Sequence, residues 1–248
     1  VGCGSGLLSL AARRLGALVH SLDFDPHSVY CARELKRIYF AEDPAWTIEQ
    51  ASVLDAEHMS SLGTFDLVYS WGVLHHTGEM HQALANAALA VRDGGRLFIA
   101  IYNHQPRKSA RWTRIKKFYC SLPGVAQVPF SALMMAPREA KLMLRYLVTL
   151  RPDKYVRLWR EYSRKRGMSR WHDHVDWLGG YPFETARPEE IVHFYRERGF
   201  YVEHLKTVGG GSGCNEFVFR KCTAVIPRSA DRPTLEIAPA TDSIPRAA

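Results

Sequence analysis

Short apolar runs alternate with amphipathic, helix-length stretches along the first hundred residues. The apolar runs predict strands, and the stretches between them repeat their apolar residues every three or four positions, as helices do. The predicted strands cover residues 17–22, 46–51, 65–70 and 96–102, and the predicted helices cover residues 7–15, 26–36 and 79–91. Strands that alternate with helices in this way form a parallel sheet with helices on both faces. We therefore predict an α/β fold with a doubly wound, mostly parallel sheet.

The last part of the chain continues the same pattern and then loses it. A predicted helix at residues 188–198 is followed by strands at 201–207 and 215–220, with a glycine turn between the two strands. Two strands that flank a tight turn predict a terminal antiparallel hairpin. Prolines recur among Ala, Ser and Thr over residues 223–248, a composition that cannot support a packed core, so we predict a disordered tail there.

The middle of the chain, residues 104–172, has a different pattern and a different charge. Helices are predicted at residues 108–121, 137–150 and 153–167, with prolines separating them. This stretch holds seventeen Lys or Arg and three acids, a net charge of +14 in a chain whose total is +8. We predict that residues 104–172 form a basic helical insertion or lid with its own surface role, between a core at 1–103 and its completion at 173–222.

Composition narrows the class of protein. A chain of 248 residues that is 46% hydrophobic can bury a full core without disulfides or a metal. Its five cysteines are scattered and contain no C-x-x-C pair, which argues against a disulfide framework and a zinc ribbon and favours a reducing cytoplasm. No stretch approaches the roughly 18 apolar residues of a membrane span, so no transmembrane segment is predicted.

The chain begins with a glycine loop, V-G-C-G-S-G over residues 1–6, that leads directly into the first predicted helix. Alternating glycines let the backbone turn sharply and approach a ligand at a helix N-terminus, where N–H groups favour a polar or anionic group. Dinucleotide-binding loops have the spacing G-x-G-x-x-G, but here the third glycine comes one residue early. The loop predicts a cofactor site, and its position predicts an N-terminally truncated fragment that lacks most of the preceding strand.

The spacing G-x-G-x-G resembles motif I of the class I S-adenosylmethionine-dependent methyltransferases. The resemblance continues in the order that this family requires, through Asp23, Asp55-Ala56, and the stretches 65–70, 72–76 and 93–97. Within the family, the first hundred residues resemble the type 11/12 and ubiquinone-biosynthesis O-methyltransferase-like groups. The resemblance implies a Rossmann-like fold and S-adenosyl-L-methionine as the cofactor.

The family pattern also implies which residues bind the cofactor. Asp23 matches the acid that accepts hydrogen bonds from both ribose hydroxyls, and Asp55 matches the acid that receives the adenine amino group. The complete predicted set is Gly2, Cys3, Gly4, Gly6, Asp23, Asp55, Ala56, Ser70 and Trp71. Two alternatives stay open: Asp23 could be a helix cap, although Asp25 before Pro26 suits that role better, and Asp55 could be an ordinary loop carboxylate.

Candidate catalytic groups follow the strand at residues 65–70. In an open α/β sheet the ligand lies beyond the carboxyl ends of the strands, which places residues 70–76 near the transferred methyl group. Residues 70–73 lack the two prolines of the amino-methylating branch, so methylation of nitrogen by that device is disfavoured. His75 and His76 are the candidate general bases because imidazole titrates near neutral pH, with a structural role as the alternative for each.

A second polar cluster lies at residues 171–182, where two His, two Asp and three aromatic residues occur in twelve positions. Such a density could bind a metal or the methyl acceptor. No further ligand spacing supports a metal, and we predict no metal site. We expect instead a hydrogen-bonded turn that closes the insertion against the core and helps to wall an acceptor pocket.

The leading functional hypothesis is transfer of a methyl group from S-adenosylmethionine to a small-molecule acceptor, with oxygen as the expected acceptor atom. One alternative is an RNA or DNA methyltransferase that uses the basic insertion to bind nucleic acid. Basic amphipathic helices also suit peripheral contact with an anionic membrane. A further alternative is a non-catalytic, methyltransferase-like binding protein.

Overall fold

The computed structural model describes residues 1–223, except for the side chain of Arg166. The predicted disordered tail therefore lies, apart from its first residue, outside the described residues. The elements of the first hundred residues are α1 (Leu7–Arg14), β1 (Val19–Asp23), α2 (Pro26–Tyr39), β2 (Trp46–Gln50), α3 (Ala56–Ser61), β3 (Phe65–Trp71), a 3₁₀ turn (Leu74–His76), α4 (Met80–Leu89) and β4 (Val91–Tyr102). These bounds agree with the predicted strands and helices to within a few residues, except at the start of β4.

Four helices follow β4 in succession, and two strands complete the fold. The helices are α5 (Pro106–Ser121), α6 (Gly124–Val148), α7 (Pro152–Arg166) and α8 (Arg170–Gly179). The chain then returns to the sheet through α9 (Pro188–Arg196), β5 (Phe200–Lys206) and β6 (Cys214–Lys221). Among the helices described in residues 1–223, none combines the length and the hydrophobicity needed to cross a bilayer.

The strands form two adjoining sheets. β1 and β2 pair in parallel, and the second sheet has the order β3-β4-β6-β5. β3 pairs in parallel with β4, whereas β6 runs antiparallel to both β4 and β5. The prediction of a mostly parallel, Rossmann-like sheet with a terminal antiparallel hairpin is confirmed.

The first three residues connect the two sheets. The amino group of Val1 donates to the carbonyl of Tyr69 on β3 at 2.8 Å. The amides of Gly2 and Cys3 donate to the carbonyl of Leu22 on β1, at 2.9 and 3.1 Å. The beginning of the glycine loop is therefore fixed between the carboxyl ends of β1 and β3.

The core lies between the four-stranded sheet and the helices α4 and α9. Leu97 and Ile99 on β4 and Phe217 and Phe219 on β6 are fully buried against apolar residues of both helices. Tyr195 of α9 is also fully buried, and its hydroxyl donates to the carbonyl of Leu84 on α4 at 3.1 Å. This packing fixes β4, the strand whose carboxyl end carries part of the candidate site.

The strand predicted at residues 96–102 begins earlier in the structure, because β4 starts at Val91. Asp93, Gly94 and Gly95 lie within the strand, and the pairing with β3 shifts register between Phe65 and Leu67. A Cβ on Gly95 would lie 2.8 Å from the carbonyl oxygen of Arg92. Glycine therefore allows the chain to pass through this irregularity without leaving the sheet.

The structure corrects the prediction for α6, in which Pro129 and Pro137 separate helices. Both prolines lie inside this single 25-residue helix. A proline inside a helix removes one hydrogen bond and costs roughly 3 kcal/mol. Contacts from neighbouring helices offset that loss: the carboxylate of Glu139 accepts hydrogen bonds from Tyr155 Oη and Trp159 Nε1 on α7, at 3.2 and 3.3 Å.

The segment at residues 171–182 is also corrected, because most of it is the helix α8 rather than a turn. Ser169 caps α8 by accepting from the amide of His172 at 3.2 Å. Leu178 on its inner face is fully buried. The apolar residues of this segment recur with the spacing of an amphipathic helix. The many polar residues between them make that spacing hard to see, so the composition alone suggested a turn.

Candidate active site

The backbone of the glycine loop turns sharply and is open on one side. Gly2, Gly4 and Gly6 all have positive φ, at 66°, 53° and 83°. A Cβ on Gly2 would lie 2.4 Å from Val73 Cγ2, whereas a Cβ on Gly4 would meet nothing within 4 Å. The loop is thus packed on one side at Gly2 and open at Gly4, where a ligand can approach the backbone.

The same loop opens the first helix. Gly6 is the N-cap of α1, and within the described structure no side chain caps this helix. A Cβ on Gly6 would lie 2.9 Å from the Cβ of Ala32, so glycine also allows α1 to pack closely on α2. The N–H groups of the first turn are therefore suited to a polar or anionic ligand group.

Asp23 ends β1 directly beside this loop. Its Oδ2 accepts from the amide of Gly4 at 2.8 Å, and its Oδ1 accepts from the amide of Asp25 at 3.0 Å. The predicted helix cap is Asp25, which accepts from the amides of His27 and Ser28 and is confirmed in that role. Each carboxylate oxygen of Asp23 has a further lone pair, so the group can still accept hydrogen bonds from a vicinal diol.

Asp55 has a structural role that does not exclude the predicted one. It is the N-cap of α3, where its Oδ1 accepts from the amide of His58 at 2.9 Å, and Ala56 is the first residue of the helix. Both residues are exposed. Since capping uses Oδ1, the second oxygen of the carboxylate is available to a ligand.

Ser70 and Trp71 lie at the carboxyl end of β3 and differ sharply in exposure. Ser70 is fully buried, and its Oγ has no hydrogen-bond partner among the described residues, whereas Trp71 is 47% exposed. An unpaired buried hydroxyl costs about 1–3 kcal/mol. An unpaired hydroxyl oxygen beside the glycine loop is consistent with a binding site for a polar ligand group.

The two candidate bases have different surroundings. The His75 ring is fully buried, neither ring nitrogen has a hydrogen-bond partner in the described part of the chain, and burial holds its pKa well below the usual value. His76 is half-buried, and its Nδ1 lies 2.6 Å from the carbonyl oxygen of Pro182. A carbonyl can only accept, so Nδ1 carries the proton and Nε2 keeps the lone pair.

Charges and burial both act on His76. Burial lowers the pKa of its imidazole, and the positive charge of Lys116 lowers it further. The hydrogen bond to Pro182 and the negative charge of Asp176 raise the pKa in part. The net shift is downward, so His76 is neutral near pH 7 and can accept a proton at Nε2.

His76 belongs to an aromatic cluster at the carboxyl end of β4, formed by His76, Tyr102, Trp112, Trp177 and Phe183. The ring of Tyr102 lies 5.5 Å from that of His76, 5.4 Å from that of Trp177 and 5.1 Å from that of Phe183, between centroids. The rings of Trp112 and Trp177 lie 5.6 Å apart. The cluster joins the β3 turn, β4, α5 and α8 around one point.

Lys116 on α5 is the charged residue of this cluster that the sequence reasoning missed. It is fully buried, its Nζ donates to the carbonyl of Trp177, and the same nitrogen lies 3.9 Å from the Trp177 ring centroid. Burial lowers the pKa of Lys116 to about 8, against an opposing effect of Asp176. Lys116 lies four residues after Trp112 and three residues before Tyr119, on the apolar face of α5. This position in the sequence was the available indication that Lys116 is buried.

Gly180 shows how closely Lys116 approaches His76. A Cβ on Gly180 would lie 3.3 Å from Lys116 Nζ and 3.6 Å from His76 Nε2. The ammonium group and the unprotonated nitrogen therefore flank the same glycine. A side chain at this position would press on the Cε1 atom of His76, at 3.0 Å, as well as on Lys116.

A small cavity of about 20 Å³ opens beside the aromatic cluster. Four of its walls are Tyr102, Trp112, Trp177 and Phe183, and Asn103 and Lys108 contribute polar groups. A larger, open groove of about 480 Å³ is lined by residues of α2 and of the amino end of β2, among them Arg33, Lys36 and Thr47. The candidate site is the smaller cavity because ligands of open α/β sheets bind at the carboxyl ends of the strands.

The polar residues of α8 are engaged by the protein. His172 Nδ1 lies 2.6 Å from Ser169 Oγ, Tyr162 Oη donates to Asp173 at 2.6 Å, and His174 Nε2 lies 3.1 Å from a carbonyl of α6. In residues 1–223, no group of three or more His, Cys, Asp or Glu side chains is arranged to hold a metal. The α8 segment contributes Trp177, not a metal site, to the cavity.

Comparison with known proteins finds that the first part of this chain is similar to methyltransferases. Residues 1–97 match the sequence profile of a family described as a methyltransferase domain. The chain is 33% identical over 106 residues to the ubiquinone biosynthesis O-methyltransferase of Xanthomonas oryzae pv. oryzae (strain PXO99A). It is 34% identical over 106 residues to the protein of the same name from Xanthomonas campestris pv. campestris (strain B100). Each match covers 43% of this chain and 43% of the relative, so the chain matches less than half of the length of these proteins.

The fold is also similar to that of a solved structure. PKMT2 from Rickettsia typhi, solved in complex with AdoHcy, superposes with a TM-score of 0.57 over 92% of this chain and 49% of that chain. The two sequences are 12% identical. At this identity the likeness establishes the fold.

Proposed function

We propose that this protein, whose residues 1–97 belong to the class I S-adenosylmethionine-dependent methyltransferases, transfers a methyl group from S-adenosylmethionine to an oxygen atom of a small molecule. The family prediction from the motif order is confirmed by the domain profile over residues 1–97, and the predicted fold is confirmed by the structural likeness. The observation that carries the proposal is the arrangement at the carboxyl ends of the strands. There the open glycine loop bonds to Asp23 at the end of β1, and His76, with its lone pair at Nε2, lies in the turn that follows β3.

The residues of the loop fit the cofactor in their chemistry. Asp23 offers acceptors to the ribose hydroxyls, Asp55 offers Oδ2 to the adenine amino group, and the backbone N–H groups at the start of α1 offer donors to the amino-acid carboxylate. Ser70 Oγ is a buried hydroxyl that gains a hydrogen bond from a polar ligand group. When bound, S-adenosylmethionine supplies an electrophilic methyl group on a positively charged sulfur.

His76 is the proposed general base. Pro182 fixes its tautomer, so Nε2 carries the lone pair, and the lowered pKa keeps that lone pair unprotonated near neutral pH. Nε2 would accept the proton that the acceptor oxygen loses, while the bound cofactor would supply the methyl group and leave as S-adenosylhomocysteine. His75 is fully buried, and we assign it a supporting role beneath the His76 ring, 4.5 Å away between centroids.

The cavity supports a small acceptor. Its aromatic walls suit a compact, partly apolar molecule better than a polynucleotide. Helices α5 and α8 cover it by contributing Trp112 and Trp177, and we propose that these two helices exclude water from the site. Oxygen is supported by the absence of the proline pair at residues 70–73 and by the named O-methyltransferase relatives.

Calorimetry with S-adenosylmethionine tests the cofactor assignment. The Asp23→Asn variant is expected to bind about ten- to a hundredfold more weakly, the loss that follows when hydrogen bonds to a charged group are removed. Asp66→Asn is the matched control, because Asp66 is an exposed carboxylate at the opposite end of β3. A folded wild-type protein that releases no heat at high cofactor concentration would refute the proposal.

Transfer itself is tested with labelled cofactor and a panel of phenolic, carboxylic and amine acceptors. His76→Ala is expected to lower the turnover rate about 10²–10⁴-fold, the usual contribution of general base catalysis, with cofactor affinity unchanged. Equal turnover in the variant would overturn the role of His76. Cofactor binding without transfer to any acceptor would instead favour a non-catalytic binding protein.

A further inference from the structure

Helix α6 carries an exposed apolar stripe along its whole length. The members share an outward position and recur every three or four residues: Val125, Val128, Ala132, Leu133, Ala136, Ala140, Met143, Leu144, Leu147 and Val148. Several are among the most exposed apolar side chains of the described chain, with Val125 at 87%, Val148 at 75% and Leu133 at 69%. At 1.5 Å per residue, the stripe is about 37 Å long.

The orientation of the stripe is fixed by the opposite face of the helix. Ser131 and Met135 are buried there, and His174 of α8 contacts the Ser131 carbonyl. Glu139 on the same inner side pairs with Arg170 of α8 at 2.6 Å and bonds to α7. The helix therefore cannot rotate to bury the stripe without breaking these contacts.

Cations line one flank of the stripe. Arg138, Lys141 and Arg145 recur at the same three- and four-residue spacing as the apolar residues, and all three are exposed. The next loop and helix add Arg151 and Lys154, also exposed. The surface thus combines a long apolar strip with a row of positive charges, within the segment that carries +14.

We propose that the apolar stripe of α6 docks on the surface of an anionic lipid bilayer. In this arrangement α6 lies in the plane of the interface, with the leucine and valine side chains at the boundary of the acyl chains and with Arg138, Lys141 and Arg145 against the lipid phosphates. We choose an anionic bilayer because the stripe combines apolar side chains with neighbouring cations. The apolar side chains complement the acyl chains, and the cations complement the negatively charged headgroups.

Other occupants fit less well. A second copy of the chain would bring two rows of Arg and Lys side by side, and like charges in contact oppose association. Nucleic acid would use the cations but has no partner for exposed leucines and valines, because base contacts require aromatic or guanidinium planes. The inference does not depend on methyl transfer, and either proposal can fail without the other.

Co-sedimentation with phosphatidylglycerol vesicles tests the proposal on the full chain. The variant Leu133→Ser/Leu144→Ser/Val148→Ser is expected to bind at least tenfold more weakly than the wild type. These side chains are exposed, so the fold should be retained, and circular dichroism checks this. Lys141→Gln/Arg145→Gln should also bind more weakly, and its binding should depend less on salt.

The matched control is Arg33→Gln/Arg37→Gln, two exposed cations four residues apart on α2. It should bind vesicles like the wild type. Equal binding to neutral phosphatidylcholine vesicles, or equal binding by the serine variant, would overturn the proposal. It would also be overturned if light scattering showed a dimer that the serine variant abolishes, or if single-stranded RNA bound while vesicles did not.

Discussion

The positive charge of Lys116 lies close to His76 and adds to the effect of burial, which is the main cause of the lowered pKa of His76. Lys116 is enclosed by the rings of Trp177 and Phe183, which interact favourably with a cation, at 3.9 and 5.0 Å from their centroids. Burial opposes the charge and lowers the pKa of Lys116 to about 8. The site therefore contains a cation close to its own titration point and a neutral imidazole next to it.

Replacing Lys116 by Met removes that positive charge and should raise the pKa of His76. The His76 ring is then easier to protonate, so the acid limb of the rate profile moves to higher pH. Titration of the His76 ring signals by NMR measures the shift without requiring activity. Lys117→Met, an exposed neighbour on the same helix, should leave the His76 pKa in place, and an unchanged pKa in Lys116→Met would contradict the coupling.

The same residue predicts how stability depends on pH. The pKa of Lys116 falls from 10.5 to about 8 on folding, so between these values the unfolded chain holds a proton that the folded chain has released. The stability that this group contributes is present above pH 10.5 and is lost as the pH falls to about 8. Urea denaturation at pH 7.5 and 10 should show that the wild type gains stability relative to Lys116→Met. Equal gains in both proteins would contradict the assignment.

The sequence predicted the glycine loop and Asp23 as parts of the candidate site, but it did not predict Lys116. The difference has a physical reason. The positive φ values of Gly2, Gly4 and Gly6 follow from local spacing, and Asp23 follows from its place at the end of a strand. A buried lysine depends on contacts between α5 and α8, sixty residues apart. In the sequence it is one of seventeen basic residues in its segment, and its charge alone suggests a solvent-exposed position.

At the scale of elements, Glu139 connects three helices of the basic segment. Its carboxylate accepts from Tyr155 and Trp159 on α7 and pairs with Arg170 on α8, whose side chain is 5% exposed. The prolines of α6 led to the expectation of separate helices, because the contacts that hold the helix together come from distant residues. The helical spacing of apolar residues continues across Pro137. That continuity was the feature of the sequence that indicated a single helix.

Glu139→Ala should destabilise the packing of α6 on α7 and α8. It leaves the buried guanidinium of Arg170 without its carboxylate, a change that typically costs about 3–5 kcal/mol. Glu139→Gln keeps the hydrogen-bond acceptor and should lose less. Glu161→Ala is the control, because its ion pairs with Arg157 and Lys165 are exposed and contribute about 0–1 kcal/mol. Urea denaturation and hydrogen exchange of α6 measure the effect, and equal losses in the alanine variants would contradict it.

At the scale of the whole molecule, the glycine loop is the junction of the two sheets. Gly2 and Cys3 bond to Leu22 of β1, while Val1 bonds to Tyr69 of β3. A ligand that orders the loop therefore acts on both sheets at once. The parallel sheet and the terminal hairpin could be predicted because each strand has its own apolar run, but this junction could not, since it depends on three residues whose backbone bonds leave no pattern in the sequence.

This junction predicts that S-adenosylhomocysteine should slow hydrogen exchange in β1 and β3 together, although they belong to different sheets. A ligand at a hundred times its dissociation constant stabilises the folded state by about 2.7 kcal/mol, enough to slow exchange that requires global opening about a hundredfold. Gly2→Ala should weaken the joint effect, since its Cβ would collide with Val73 at 2.4 Å and displace the loop. Gly63→Ala is the control, because Gly63 also has positive φ but lies before β3, with nothing within 4 Å of its Cβ position. Protection confined to β1 would show that the ligand acts through Asp23 alone and that the loop does not couple the sheets.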